Sequence, residues 1–257
     1  MKTKVDINCD LGESYGAFHM GNDRAIMPHI TSANVACGFH AGDPTTIART
    51  LQLAKRFNVA VGAHPAYPDL MGFGRREMSL TIEELRNYVI YQVSALEGFA
   101  KASGIQLQHV KLHGALYNKA AKNSETAQTA VKAIKALNPN LIVFAPPKSA
   151  LAEAAAKAGI RVAYEVFADR AYNPDGTLVS RRRPNALITD VKTIIERVIQ
   201  MVKEQTVTAV NGENIQLGEV DTVCVHGDTP EAVNIAKNLK RALIKAGVQV
   251  KPVRAFL

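Results

Sequence analysis

Residues 5–14 read VDINCDLGES, a short β-branched stretch that ends in a cluster of acidic and amide side chains. Comparable stretches follow at residues 30–35, 59–62, 109–112, 141–144, 161–165 and 221–225, and a further candidate lies at 248–253. Amphipathic helical patterns separate them, which is typical of strand–helix units around a parallel sheet. Seven or eight such units predict an α/β fold, a TIM-like (β/α)7-type barrel that occupies residues 1–257 as a single domain.

The main alternative fold is an open, doubly wound parallel sheet. Sheets of that kind that bind dinucleotides carry a G-x-G-x-x-G turn after the first strand, and no such turn follows residues 4–8. One segment departs from the alternation of strands and helices. In it, two short strand-like stretches at residues 206–210 and 214–218 flank Asn211-Gly212, which is a strong hairpin signal. We therefore expect a small β-hairpin insertion near residues 206–218.

Capping residues mark several predicted helix starts. Asp43-Pro44 and Thr229-Pro230 each combine an N-cap side chain with proline at the first helical position. Thr81 with Glu84 three residues later matches the capping-box pattern. Asp43 therefore has a structural explanation that competes equally with a functional one.

The composition restricts the class of protein. The formal net charge is +8, but the basic residues are dispersed, and the only dense run, at residues 181–183, has no aromatic residues within it. This pattern disfavours nucleic-acid binding and suits anionic substrates. The three cysteines lie far apart, which predicts free thiols in a reducing compartment. With no signal peptide or membrane-spanning stretch, a cytoplasmic protein without a membrane partner is expected.

Polar side chains gather where the predicted strands end. In parallel α/β architectures these ends meet at one rim, and a polar side chain there avoids the cost of burial in an apolar core. The residues assigned to catalysis are Asp10, Glu13, His40, His64, Lys111 and His113. Other polar residues at or after the strand ends are Asn8, Arg75, Asp169, Arg170 and His226.

Six other conspicuous residues are interpreted as non-functional: the cysteines as structural, and the histidines as structural or exposed. Cysteine often acts as a small apolar side chain in a core, and the three remaining histidines lie away from the strand ends. These residues are Cys9, Cys37, Cys224, His19, His29 and His109.

Three motifs of well-known enzyme classes are absent, and their absence limits the types of reaction that the sequence supports. The sequence has no G-x-S-x-G nucleophile elbow, no G-x-x-x-x-G-K-[ST] phosphate loop and no H-E-x-x-H zinc helix. The remaining carboxylates, imidazoles and cations suit general acid–base hydrolysis of an amide or ester, with or without a metal-activated water. Lys111 and Arg170 are candidates for holding an anion or a developing oxyanion.

Six long segments resemble the LamB/YcsF family, and they extend over nearly the whole chain. They are VDINCDLGES (5–14), SANVACGFHAGDP (32–44), GAHPAYPDLMGFGRR (62–76), VKLHGALYN (110–118), EVFADRAYNPDGTLVSR (165–181) and VCVHGDTP (223–230). The resemblance implies ATP-dependent hydrolysis of 5-oxo-L-proline (pyroglutamate) to L-glutamate, with ATP and Mg²⁺, together with the 5-oxoprolinase subunits B and C. It also implies a barrel similar to that of the polysaccharide deacetylases and related glycoside hydrolases. With this substrate and with ATP, binding of substrate or phosphate is expected at Asn8, Arg75, Asp169, Arg170 and His226.

The sequence alone leaves open whether a metal ion takes part in the reaction. The deacetylases bind their metal through an aspartate and two histidines, usually as H-x-x-x-H, whereas His40 is followed by Asp43-Pro44. Asp10, His40 and His64 would supply an equivalent Asp/His₂ set. Two other functions also remain open: a stand-alone metal-dependent deacetylase or amidohydrolase, and a protein whose role in a complex is assembly alone.

Overall fold

The computed structural model describes residues 3–227 and 231–257. The strands within these ranges are β1 Lys4–Leu11, β2 Ser32–Ala36, β3 Ala60–His64, β4 Leu107–Val110, β5 Ile142–Ala145, β6 Val162–Phe167, β7 Thr206–Thr208, β8 Asn214–Gln216, β9 Thr222–Val225 and β10 Gln249–Val250. The α-helices are α1 Asp23–Ile26, α2 Pro44–Phe57, α3 Ile82–Ala102, α4 Gly114–Lys122, α5 Ser124–Leu137, α6 Ala150–Lys157, α7 Val191–Glu204 and α8 Ala232–Lys245.

Seven parallel strands of the described chain close into a barrel. β1 pairs with β2, and the order continues through β3, β4, β5 and β6 to β9. β9 pairs back with β1, where residues 6–9 run beside residues 222–225. The predicted (β/α)7-type barrel is therefore confirmed, and the open-sheet alternative is wrong because the first and last strands of the sheet meet.

The candidate eighth strand is short and lies outside the ring. β10 has only two residues and pairs with Lys4 and Val5 at the start of β1. The pairing of β1 with β2 begins farther along, at Asn8. β10 thus extends the sheet at one end of β1 without adding a strand to the closed barrel.

A separate hairpin follows α7. β7 and β8 pair in antiparallel fashion, with Val207 opposite Ile215. The connecting turn contains Gly212, whose φ of +86° is in the region that favours glycine. Residues 215–217 border the cavity described below. The assignment of the chain to one domain stays a prediction.

The apolar core lies between the barrel and the surrounding helices. Each helix turns a buried apolar face toward the strands, with Leu51 of α2, Val89 of α3, Ile134 of α5 and Leu239 of α8 fully or almost fully buried. This arrangement follows from the parallel sheet, because helices must cover its outer face. No helix in the described ranges is both long and apolar enough to cross a membrane.

Capping side chains begin the helices as expected where the structure describes them. Asp43 accepts a hydrogen bond at 2.8 Å from a backbone N–H in the first turn of α2. Thr81 and Glu84 form the reciprocal capping box of α3. The capping prediction for Asp43 is therefore confirmed. The predicted start at Thr229-Pro230 lies outside the described residues, and α8 begins at Ala232.

Glycine in β3 makes room for a buried histidine. A Cβ atom at Gly62 would overlap the ring of His109 in β4. That ring stacks on Phe144, with the centroids 3.9 Å apart, and its Nε2 bonds to Asn34 Oδ1 at 2.7 Å. His109 is a fully buried structural residue, as the sequence indicated.

The barrel interior also contains a buried carboxylate, that of Asp6. It accepts hydrogen bonds from the hydroxyl groups of Thr31, Ser32 and Thr222 at 2.6, 2.7 and 2.5 Å. Burial raises the pKa of Asp6 to about 6, although these hydrogen bonds oppose the increase. The folded protein therefore holds this proton to a higher pH than the unfolded chain does.

We expect Asp6 to make the barrel less stable as the pH rises from about 4 to about 6. The unfolded chain releases the proton near its ordinary pKa of 3.8, whereas the folded chain releases it near 6, so the contribution of protonated Asp6 is lost over this interval. The shift corresponds to about 3 kcal/mol. Thermal unfolding at several pH values should show that Asp6→Asn removes this decline.

Asp190→Asn is a matched control, because Asp190 caps α7 at an exposed position. This variant should retain the decline between about pH 4 and 6. A constant difference in Tm between the wild type and Asp6→Asn across this interval would contradict the prediction.

Candidate active site

The carboxyl ends of the barrel strands open into a cavity of about 890 Å³. The cavity is lined by most of the residues that the strand ends predicted: Asp10, Glu13, His64, Arg75, Lys111, His113, Arg170 and His226. The other three are Asn8, His40 and Asp169, and each contacts one of these lining residues. The structure thus brings the predicted positions to the same end of the barrel, except Asn8, which lies deeper inside it.

Lys111 lies at the centre of this site. Its Nζ is 2.9 Å from Asp10 Oδ1 and 2.9 Å from Glu165 Oε1. Cys224 Sγ lies 3.0 Å from the same nitrogen, and the ring centroid of Phe167 is 5.3 Å away. The Lys111 side chain is only 3% exposed. These contacts therefore replace the water that an ammonium group would otherwise bind.

Mutual charge compensation stabilises the cluster. Burial alone would raise the pKa of Asp10, but His64 and Lys111 hold it well below its usual range. Burial alone would lower the pKa of Lys111, but the Asp10 carboxylate raises it well above its usual range. Glu165 supplies the second carboxylate, and its Oε2 accepts from the Tyr117 hydroxyl at 2.7 Å. We call the set Asp10, Lys111 and Glu165 the ion triplet.

Asn8 supports the ion triplet from inside the barrel. Its amide group donates to Glu165 Oε1 at 2.9 Å and to Thr222 Oγ1 at 2.7 Å, and its oxygen accepts from Asn34 at 2.7 Å. The side chain is fully buried and does not line the cavity. This position suits orientation of Glu165 and Lys111, whereas the sequence assigned Asn8 to direct binding of a ligand.

Three histidines and a glutamate form a second group beside the ion triplet. His40 and His113 stack with their centroids 3.7 Å apart, and His64 stands nearly perpendicular to both. His64 Nε2 lies 2.9 Å from His113 Nδ1. Glu13 Oε1 lies 3.5 Å from His40 Nε2 and 3.9 Å from His113 Nδ1. These four residues, here called the histidine cluster, are buried and could hold a metal ion.

The loop after β3 positions one side of the histidine cluster. Phe73 and Gly74 have φ values of +54° and +64°, and this turn directs the Phe73 carbonyl toward the ring of His113. A Cβ atom at Gly74 would press against His113 and His40. The loop backbone and the stacked rings are therefore fitted to one another.

Backbone carbonyl groups determine where the ring hydrogens lie in this cluster. His64 donates from Nδ1 to the Lys111 carbonyl at 2.7 Å, and His113 donates from Nε2 to the Phe73 carbonyl at 2.8 Å. Because a carbonyl only accepts, the neutral rings have lone pairs on His64 Nε2 and His113 Nδ1, the two nitrogens that face each other. Burial, with a neighbouring histidine, lowers the pKa values of His40 and His113 well below the usual range.

The outer part of the cavity is basic. Burial lowers the pKa of Arg170 to about 10, so its guanidinium is still charged at neutral pH. Arg170 donates to the Val179 carbonyl at 2.6 Å, while its Nε has no hydrogen-bond partner among the described residues. Nearby, His226 Nδ1 lies 2.8 Å from an oxygen of Asp169. Other cationic residues that line the cavity are Arg75, Arg76, Lys122, Lys148, Arg181 and Arg182.

Two contributors to the site had no role assigned from the sequence, and a third was assigned a structural role only. Glu165 lies within β6 and Tyr117 within α4, and both reach the ion triplet. Cys224 was interpreted as an apolar side chain, and this was incomplete because its sulfur contacts the Lys111 ammonium. Strand alternation places Glu165 and Phe167 on the same face of β6, which is a signal that would have identified Glu165.

A closed parallel barrel that brings an ion triplet and a histidine cluster to the carboxyl ends of its strands has the architecture of β/α-barrel enzymes. The model of the LamB/YcsF family matches residues 5–257. The chain belongs to the LamB/YcsF family, and the resemblance of the six sequence segments is confirmed.

Relatives that match almost the full length of this chain include two A subunits of 5-oxoprolinase and a lactam utilization protein. The A subunit of 5-oxoprolinase from Pyrococcus furiosus is 56% identical over 254 residues, covering 99% of each chain. The protein of the same name from Pyrococcus abyssi is 55% identical, with the same coverage. The crystal structure of a lactam utilization protein from Thermus thermophilus superposes with a TM-score of 0.91 at 48% identity, covering 96% of this chain and 99% of that one.

Proposed function

We propose that this chain is the A subunit of an ATP-dependent 5-oxoprolinase, a cyclic amide hydrolase that converts 5-oxo-L-proline to L-glutamate. The names of the full-length relatives support the substrate, since they refer to 5-oxoproline and to lactam use. The structural observation that carries the proposal is the ion triplet at the base of a cavity with a basic rim.

The two ends of the cavity suit the two polar ends of the substrate. The carboxylate of 5-oxoproline would meet the cations that line the outer cavity, among them Arg75, Arg170 and Arg182. The lactam would then lie toward Asp10 and Lys111. The cavity, at about 890 Å³, also leaves room for a phosphate group beside the lactam.

The mechanism follows from the stability of an amide. Transfer of the γ-phosphoryl group of ATP to the lactam oxygen would create a good leaving group and release ADP. Asp10, ionised at neutral pH, would accept a proton from the attacking water, and Lys111 would stabilise negative charge on the oxygen. Cleavage of the ring C–N bond, with the proton passing to the leaving nitrogen, would give γ-glutamyl phosphate, and a second water would hydrolyse this acyl phosphate to L-glutamate and phosphate.

ATP, with Mg²⁺, and subunits B and C belong to the same proposal. The chain lacks a G-x-x-x-x-G-K-[ST] loop, so the other subunits are proposed to help bind the nucleotide. A cytoplasmic location, with neither nucleic acid nor membrane as a partner, also remains part of this proposal.

The test is the formation of L-glutamate and ADP from 5-oxoproline and ATP by the chain alone and with subunits B and C. We expect turnover only in the complete complex, and we expect Asp10→Asn to reduce it at least ~100-fold. Asp190→Asn, which changes an exposed helix cap, should leave turnover unchanged. Absence of turnover in the complete complex would refute the proposal.

The stand-alone deacetylase alternative gives a different result in the same assay. The alternative, a stand-alone metal-dependent deacetylase or amidohydrolase, predicts amide hydrolysis by this chain without ATP or partners. The histidine cluster is the observation that favours this alternative, because an ion bound there would activate water.

A further inference from the structure

The histidine cluster contains more lone pairs than its own hydrogens can satisfy. In the neutral rings, His64 Nε2 and His113 Nδ1 face each other at 2.9 Å with a lone pair on each. His40 is fully buried, and neither of its ring nitrogens has a hydrogen-bond partner in the described chain. Buried polar atoms without a partner are rare and call for a ligand or ion.

The separations between the donor atoms fit a tetrahedral metal ion. Bonds of about 2.0–2.1 Å from Zn²⁺ to histidine nitrogen place neighbouring ligand atoms about 3.3 Å apart. The cluster has separations of 2.9 Å between His64 and His113, 3.5 Å between His40 and Glu13, and 3.9 Å between His113 and Glu13. These values lie on both sides of the tetrahedral separation, and all four donor atoms lie within 4.8 Å of one another. The His40 ring would have to turn from its stacked position on His113 for both lone pairs to reach one ion.

The surroundings of the cluster also match those of metal-binding histidines. Such residues usually donate their second ring N–H to a backbone carbonyl or carboxylate, which fixes the tautomer and the ring orientation. His64 does this with the Lys111 carbonyl, and His113 does it with the Phe73 carbonyl. Both remaining nitrogens are thereby directed into the cluster.

From these observations, we propose that Glu13, His40, His64 and His113 bind one divalent transition-metal ion, with Zn²⁺ as the best fit. Three imidazoles and one carboxylate suit Zn²⁺ and its neighbours better than Ca²⁺ or Mg²⁺. The metal site does not depend on the proposed function, because it rests on the donor geometry alone.

This ligand set differs from the Asp10, His40 and His64 set that the sequence suggested. Asp10 Oδ1 already accepts from Asn34 and from the Lys111 ammonium at 2.8 and 2.9 Å. A cation bound directly to Asp10 would therefore meet the charge of Lys111. The same charge argues against a metal at Asp10, Cys224 and His226, since Lys111 Nζ lies 3.0 Å from the Cys224 sulfur.

A bound proton is the competing explanation. One extra proton shared between His64 and His113 would resolve the contact between their lone pairs. It would leave both ring nitrogens of His40 without a hydrogen-bond partner in the described chain, whereas a metal ion would bind one of them together with His64 and His113. Metal binding and proton binding are distinguished by direct metal analysis.

The experiment uses the full chain, purified without chelator, and elemental analysis of the metal content. We expect one metal ion per chain, and we expect the chelator-treated protein to take up Co²⁺ with the intense visible absorption of tetrahedral coordination. His40→Gln and Glu13→Gln should each weaken binding at least ~10-fold. His226→Gln, in the same cavity but outside the cluster, should bind as the wild type does.

Two outcomes would overturn the metal site. One is folded wild-type protein, checked by circular dichroism, that contains no stoichiometric metal and gives no Co²⁺ absorption. The other is loss of the ion in His226→Gln but not in the cluster variants, which would place the ion at Asp10, Cys224 and His226. The Co²⁺ absorption spectrum of the wild type tests the metal site even if a variant fails to fold. Neither result depends on turnover of 5-oxoproline. The metal site can therefore be refuted while the proposed function stands, and the reverse is also possible.

Discussion

Lys111→Met is expected to reduce turnover of 5-oxoproline in the complete complex at least ~100-fold and to destabilise the chain by about 3–5 kcal/mol. Methionine keeps most of the length of the side chain but removes the charge between Asp10 and Glu165. One of these buried carboxylates must then take up a proton, and the ordered position of the other is lost. Glutamate formation and denaturant unfolding measure the two effects.

Lys119→Met is the matched control for Lys111. Lys119 also pairs with a carboxylate at 2.9 Å, but its partner, Glu77, is 65% exposed and the pair lies at the surface. Its removal should change stability by less than about 1 kcal/mol and leave turnover intact. Similar effects of the two substitutions would show that the ion triplet has no special role.

Gly62→Ala is expected to cost about 3 kcal/mol or more of the free energy of unfolding. The added methyl group would occupy the space of the His109 ring. That ring cannot withdraw easily, because it is stacked on Phe144 and hydrogen-bonded to Asn34. Asn34 in turn donates to Asp10, so the strain would extend to the site. Urea unfolding measures the effect.

Gly98→Ala is the control for this substitution. Gly98 lies within α3, and a Cβ atom there would meet nothing within 4 Å. The same change should therefore stabilise the chain by up to about 1 kcal/mol, since alanine favours a helix. If Gly62→Ala were equally harmless, the close approach of His109 would not constrain β3.

The barrel could be predicted because its signals are local. The β-branched stretches and the capping residues at Asp43 and Thr81 are properties of short segments, and each appears in the structure. The polar strand ends were also informative, because a parallel barrel brings them to one end regardless of the details of packing.

The contacts within the site could not be predicted in the same way. Glu165 and Cys224 reach Lys111 across the barrel, and their distances depend on strand register and tilt. The same strand register directs the Asn8 side chain toward the interior of the barrel. The tautomers of His64 and His113 depend on two backbone carbonyls that are remote in sequence. Such long-range geometry leaves no pattern in a short segment.

The pairing of β1 with β9 has a consequence for how the chain folds during synthesis. Asp6 and Thr222 are hydrogen-bonded across this seam although they are 216 residues apart. The first strand must therefore wait for nearly the whole chain to leave the ribosome before its second edge is covered. Contacts of such high sequence separation slow folding and expose strand edges to aggregation. The nascent chain should thus depend on chaperones until β9 emerges.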